Sequence, residues 1–261
     1  MTIIKHELKQ GRLSFAVWTG AIAFLLVICV CLFPEIKGEM SDVGDIFSSM
    51  GSFTEAFGMD RLNFGTLTGF YAVECGNVLG LGGAFFASLA AVTALSKEEK
   101  GRTAEFLLTH PISRNRVITE KLAAVMLQIV AMNVLILALS LGSIVMIGEE
   151  IPWKEILLLH LAYFLLQVEL AGICFGISAF LRKGSSGIGL GIAAMMYVLN
   201  LIANMTDRVE FLKYITPFGY CEGADIVTDG KLNFARIVPG ILLAAAGIFA
   251  AYVKYGRKDI Q

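Results

Sequence analysis

"SKEEKGRTAEFLLTHPISRNRVITEKL", residues 96–122, holds ten charged residues and one proline. The apolar runs on either side of it, Cys75–Leu95 and Leu122–Ile147, have no charged side chain. A bilayer core of ~30 Å takes about 20 apolar residues per helix. The two runs therefore read as separate membrane helices, and the charged stretch reads as their connection on one side of the membrane.

The same criterion applied outward gives an all-α integral membrane protein with six spans, at about 15–33, 73–95, 118–147, 156–181, 184–205 and 237–253. The composition agrees. The 261 residues are 56% hydrophobic and only 16% charged, against about 25% charged in soluble domains, and the mean hydropathy is +0.72. No soluble domain of useful size remains, so residues 1–261 read as a single transmembrane domain.

Basic residues set the orientation. Three precede the first span, six lie in 96–122, two are Arg182 and Lys183, and three close the chain, which puts fourteen of the 21 on one side. The loop 34–70 opposite is acidic, with Glu35, Glu39, Asp42, Asp45, Glu55 and Asp60 against two bases. Both termini are therefore expected in the cytoplasm, with the protein multi-pass in the plasma (inner) membrane. The first span is too long for a cleaved signal and no small-residue cleavage site follows it, so it reads as a retained anchor. The segment "MTIIKHELKQGRLSF" puts Ile4, Leu8 and Phe15 near one face with Lys5, Lys9 and Arg12 around it. That pattern predicts an amphipathic interfacial helix before the chain turns into the first span.

Loop 206–236 holds "FLKYITPFGYCEG", too apolar for a solvated linker, and is expected to dip back toward the bilayer with Pro217 as its break. Three Gly-x-x-x-Gly pairs, 76/80, 172/176 and 187/191, allow close helix approach. The five cysteines read as small hydrophobes rather than a disulfide framework, and no metal cluster is expected.

Membrane enzymes are disfavoured. Gly184-Ser185-Ser186-Gly187 matches a rhomboid-type protease motif, but no histidine follows His160 to activate the serine. Glu98-Glu99-Lys100-Gly101-Arg102 resembles the glutamate pair of another intramembrane protease family, yet its arginine comes one residue early and the later histidines are missing. No residue is expected to be catalytic. Gly230-Lys231 is the one Gly-Lys pair and lacks the upstream glycine of a phosphate loop. No cofactor is expected on this chain, and any ATP is bound by another. Among intramembrane polar groups, Glu169 near mid-span, Glu74 and Asn200 are the candidates for a substrate path. Asn133 and Asn200 have the plainer reading of hydrogen bonds between helices.

Wound as a helix, residues 98–108 put Ala104, Leu107 and Leu108 on one face and Glu98, Glu99, Arg102, Glu105 and Phe106 on the other. Glu98 and Arg102 form a favourable i,i+4 pair. Pro111 stops that helix and Ser113 caps the next. A surface helix lying on the inner leaflet accounts for the apolar face but leaves Phe106 among charges without a role. An aromatic and acids facing the cytoplasm suit docking by a partner.

Residues Glu99, Gly101, Thr103, Leu107, Leu108, Pro111, Ile112, Ser113, Arg114 and Lys121 resemble the cytoplasmic segment of ABC-2-type transporter permeases. Arg102, inserted between the glycine and threonine of that pattern, is a departure. "KYITPFGYCEGADIV" and the closing "YGRKDI", with Lys258 inserted in the terminal R-D, extend the resemblance over the chain. The resemblance implies a permease subunit of an ATP-driven exporter. The coupling helix between spans two and three would carry Glu98, Glu99, Arg102, Glu105 and Phe106 into a groove of a separate ATPase. It implies two ATPase copies using ATP and Mg, and a second permease forming a homodimer or heterodimer; membrane lipid surrounds the chain and no nucleic acid partner is expected. An amphipathic compound such as a peptide antibiotic or drug is the expected substrate. The alternatives are an ion-coupled secondary transporter, which would need mid-membrane carboxylates, and a non-transporting membrane scaffold.

Overall fold

The computed structural model describes residues 2–49, 54, 61–97, 113–181 and 186–257. Its helices are α1 (Thr2–Ser49), α2 (Leu67–Cys75), a π turn (Gly76–Gly80), α3 (Leu81–Thr93), α4 (Arg114–Met146), α5 (Trp153–Ser178), α6 (Ser186–Met205), α7 (Gly223–Asp229) and α8 (Phe234–Gly256). Among the described residues, six helical segments are long and apolar enough to cross a membrane, including Ile3–Gly38 within α1 and the continuous Leu67–Thr93. The described residues contain no strand. The all-helical, six-span reading therefore holds.

Local chemistry sets where the helices begin. Thr66 caps α2 by accepting from the Gly69 amide at 3.2 Å, Ser113 caps α4 as expected, and Asn233 caps α8. These side chains satisfy amide donors that a helix start leaves free. Gly148 (φ 75°) turns the short connection between α4 and α5, in the left-handed region that a residue with a Cβ resists.

α1 departs from expectation at both ends. The predicted turn after the amphipathic segment is absent, and the helix runs unbroken from Thr2 through the first span. The face of that segment turned inward carries Ile3 and Glu7, both buried, and not Ile4 and Leu8. Ion pairs to Glu7, described below, hold the segment in line with the span. At the other end the helix passes Pro34 and continues to Ser49. Proline removes one backbone donor, but Val30 and Phe33 just before it are buried and the Phe33 ring packs 5.4 Å from Phe70.

α5 is the central helix, touching α8, α3 and α4. Gly172 and Gly176 make the α5–α8 contact so close that a Cβ on Gly176 would lie 2.5 Å from the Gly247 carbonyl oxygen and 2.7 Å from its Cα. Gly76 and Gly80 leave room for the Tyr163 ring. At the third pair the contact falls on Gly189, against the Ser88 carbonyl, while Gly191 faces open space. Gly176→Ala is accordingly expected to force α5 and α8 apart, because backbone atoms cannot rotate out of the way, and to cost about 1–3 kcal/mol. Thermal unfolding of the purified protein in detergent checks this, with Gly191→Ala as the silent comparison.

The loop after α6 tucks into the bundle. Two 3₁₀ turns, Asp207–Tyr214 and Pro217–Tyr220, precede α7, and Pro217 through Cys221 are all buried. Thr216 Oγ1 donates to the Met196 carbonyl (2.7 Å), Tyr163 Oη to the Cys221 carbonyl (3.0 Å), and Cys221 Sγ to the Ala162 carbonyl (3.3 Å). Apolar loop residues thus go inside, held to α5 and α6 by one loop carbonyl and two loop side chains. Cys75, Cys174 and Cys221 are buried, Cys29 is half-buried and Cys31 is exposed.

Candidate functional site

The expected coupling helix, with Glu98, Glu99, Arg102, Glu105 and Phe106, lies outside the described residues. The residues on both sides of it are described, and they form one connected polar frame. Lys97, just before the segment, donates to Glu7 of α1 and to Gln10 Oε1 (2.8 Å). Lys121, in the first two turns of α4, donates to Glu7 Oε1 and to the Ala94 carbonyl, each at 2.8 Å. One carboxylate therefore receives a lysine from each side of the segment.

Burial gives this arrangement its strength. The Lys121 side chain is 0% exposed and that of Glu7 is 9% exposed. A buried lysine holds its charge only when paired and hydrogen-bonded. Here Lys121 donates to a carboxylate and to the Ala94 carbonyl at the C-terminal end of α3, where the helix dipole favours a cation.

Further bonds tie the frame to the rest of the bundle. Ile3 N donates to Glu120 Oε2 (3.2 Å), and Arg116 Nε to Glu120 Oε1 (2.9 Å). Arg114 reaches the Tyr255 and Gly256 carbonyls at the end of α8 (3.4 and 3.2 Å). The Leu95 amide donates to Ser178 Oγ at the end of α5 (3.3 Å). At this end of the bundle, here called the joint end, α1, α3, α4, α5 and α8 all attach to residues within a few positions of the segment.

Glu7 is the member of the frame that helical-wheel reading misses. The charges on the N-terminal segment are read as facing solvent, and only the i,i+4 spacing of Ile3, Glu7 and Gly11 hints at a shared inner face.

The three residues expected to line a path do not come together. Glu74 is half-buried and accepts from Cys29 Sγ (3.5 Å) on α1. Glu169 is 1% exposed on α5, packed beside Gly240 of α8, and neither carboxylate oxygen has a hydrogen-bond partner. Tyr220 approaches it without reaching bonding geometry. Asn200 lines a separate cavity at the far end of the bundle, with Asn204 and Glu222. Asn133 bonds between helices as expected, donating to Gln167 Oε1 (2.6 Å), whereas the buried Asn200 Oδ1 has no partner. His160 sits 2.7 Å from the Tyr71 hydroxyl, in a buried pair.

Nothing among curated proteins matches the chain. A family model described as ABC-2 family transporter protein matches residues 1–260. Six apolar helices and a family match over nearly the full length place this chain in the ABC-2 family of transporter proteins, as a multi-pass membrane permease.

Proposed function

We propose that this permease is half of the membrane part of an ATP-driven exporter, working with a second permease and a pair of separate ATPase subunits. Its termini and joint end lie in the cytoplasm, and residues 98–108 form the coupling helix seated on the ATPase. The observation that carries this reading is the frame around Glu7. A lysine on each side of the segment converges on one buried carboxylate. A push on the segment is thereby transmitted to α1, α3 and α4 together rather than absorbed by a slack loop.

The expected cargo, an amphipathic compound such as a peptide antibiotic or drug, is supported by a cavity of about 260 Å³ near the joint end. Phe86, Leu89, Ala90 and Val125 give it apolar walls, while Lys97, Gln128 and Ser14 add polar groups. Such a lining suits a molecule with an apolar body and a polar end. Ion-coupled transport has less support, since Glu169 is buried away from both Glu74 and Asn200.

Co-expression with a candidate P-loop ATPase tests the reading. The permease is expected to co-purify with that ATPase and to hydrolyse no ATP by itself, because no Gly-rich phosphate loop is present in the sequence. Robust hydrolysis by the permease free of any other subunit would overturn it.

A further inference from the structure

The cavity at the end away from the joint is small, about 50 Å³, with room for roughly four water-sized groups. Its walls include Gly76 and Asn77 of the π turn, Asn200 and Asn204 of α6, and Cys221 and Glu222 before α7. A π turn inside a spanning helix interrupts the regular bonding pattern, and such turns recur at functional positions. Asn200 is 6% exposed and its buried Oδ1 accepts no hydrogen bond. Glu222 is 9% exposed and accepts from Asn204 Nδ2 at 2.7 Å. Burial pushes its carboxyl above the usual range, opposed first by that hydrogen bond; Asp225 adds to the push, and Arg61 and Lys213 counter it.

The lining selects the sign and the shape of a ligand. It contains a carboxylate and no lysine or arginine. Arg61, one of two basic groups acting on Glu222, is bonded to Asp225 at 2.6 Å. The Tyr163 hydroxyl is committed to the Cys221 carbonyl, so it is not a donor for an anion. Two aromatic rings in the wall, Tyr197 and Phe218, pack edge to face with centroids 5.3 Å apart, and ring faces attract cations. A hard divalent cation favours a set of carboxylate and carbonyl oxygens, and this wall offers a single carboxylate.

We propose that this cavity binds a primary ammonium group, with its N–H bonds going to the Glu222 carboxylate and to Asn200 Oδ1. The site takes the head of an amine and leaves the rest of the molecule outside, past the exposed Asn77. Its use as a station for amine-bearing cargo rests on the exporter reading. Binding does not, and the test reads binding alone.

Calorimetric titration of the full-length permease in zwitterionic nanodiscs, without ATPase, makes the comparison. The probes are n-propylammonium chloride, n-propanol and tetramethylammonium chloride at one ionic strength. Propylammonium is expected to saturate a single site and to bind about tenfold or more tightly than either other probe, since only it carries both the charge and the donors. Glu222→Gln, nearly isosteric, is expected to weaken it by about tenfold or more, and Asn200→Ala by severalfold. Should Glu222→Gln fail to fold, Asn200→Ala carries the test. Equal binding of propanol or tetramethylammonium, or unchanged affinity in the folded variants, would overturn the proposal. Such a failure would leave the exporter reading standing, because neither ATPase nor cargo enters the assay.

Discussion

Glu7→Leu is expected to destabilise the folded permease by about 3–5 kcal/mol, the range for removing one partner of a buried ion pair. The reason lies on the other side of the pair. Lys121 has no exposed side-chain surface, so without Glu7 its buried ammonium loses the carboxylate that receives it, with Lys97 left beside it. Lys97 suffers less, being partly exposed and still bonded to Gln10. Lys121→Met should also destabilise, by stranding part of the Glu7 charge. The double variant Glu7→Leu/Lys121→Met should recover much of the loss, because a buried pair exchanged for apolar groups of similar size is often neutral. Equilibrium unfolding in mixed micelles for the four proteins gives the coupling energy directly. Additive losses, or single losses below about 1 kcal/mol, would show that the frame is an incidental contact.

Phe106→Ala is expected to weaken ATPase association by well over tenfold. A desolvated aromatic anchor at an interface often contributes ~2 kcal/mol or more, and 1.4 kcal/mol corresponds to a factor of ten. Glu105→Lys should act similarly by reversing a charge on the same helical face. Leu107→Ala falls on the opposite face and should instead lower the thermal stability of the permease, with a smaller effect on binding. Co-purification of the ATPase at equal permease yield separates the two classes. If Leu107→Ala releases the ATPase while Phe106→Ala holds it, the docking face is on the other side of the helix, and the Arg102 insertion is the reason to examine first.

The two predictions probe one device from its two ends. Under the proposed function, Phe106 addresses contact with an ATPase, and Glu7 addresses whether such a contact is passed on to the bundle. A variant that keeps the ATPase bound but loosens the frame should separate hydrolysis from movement of the spans. Gly176→Ala acts elsewhere, on the α5–α8 contact, and serves as a control for general loss of packing.

How much was legible in advance depends on the range over which each feature is encoded. The six spans are local: each is a run of apolar residues long enough to cross a bilayer, and the charged stretch 96–122 divides two of them without ambiguity. The Ser113 cap and the inward-turning apolar loop around Pro217 are local too, since each follows from the chemistry of neighbouring residues. The ends of α1 were not legible. A charged segment and a proline are local signals to stop, and both were overruled by contacts from residues distant in sequence, Lys121 on one side and Phe70 on the other.

Sequence by itself therefore determined the class of this protein, its number of spans and the place of the charged connection between two of them, because hydrophobic length and charge are properties of consecutive residues. Only the tertiary structure decided which polar groups work together. Glu74, Glu169 and Asn200 look equivalent as polar residues in apolar runs, yet helix rotation turns them toward α1, α8 and the far cavity respectively. Glu7 and Lys121 are 114 positions apart and meet because α1 packs along α4. Glu222 joins Asn200 because an apolar loop folds back into the bundle. Burial then fixes the consequence: a carboxylate that water would screen in a loop becomes, inside, a clamp in one place and a candidate ligand site in another.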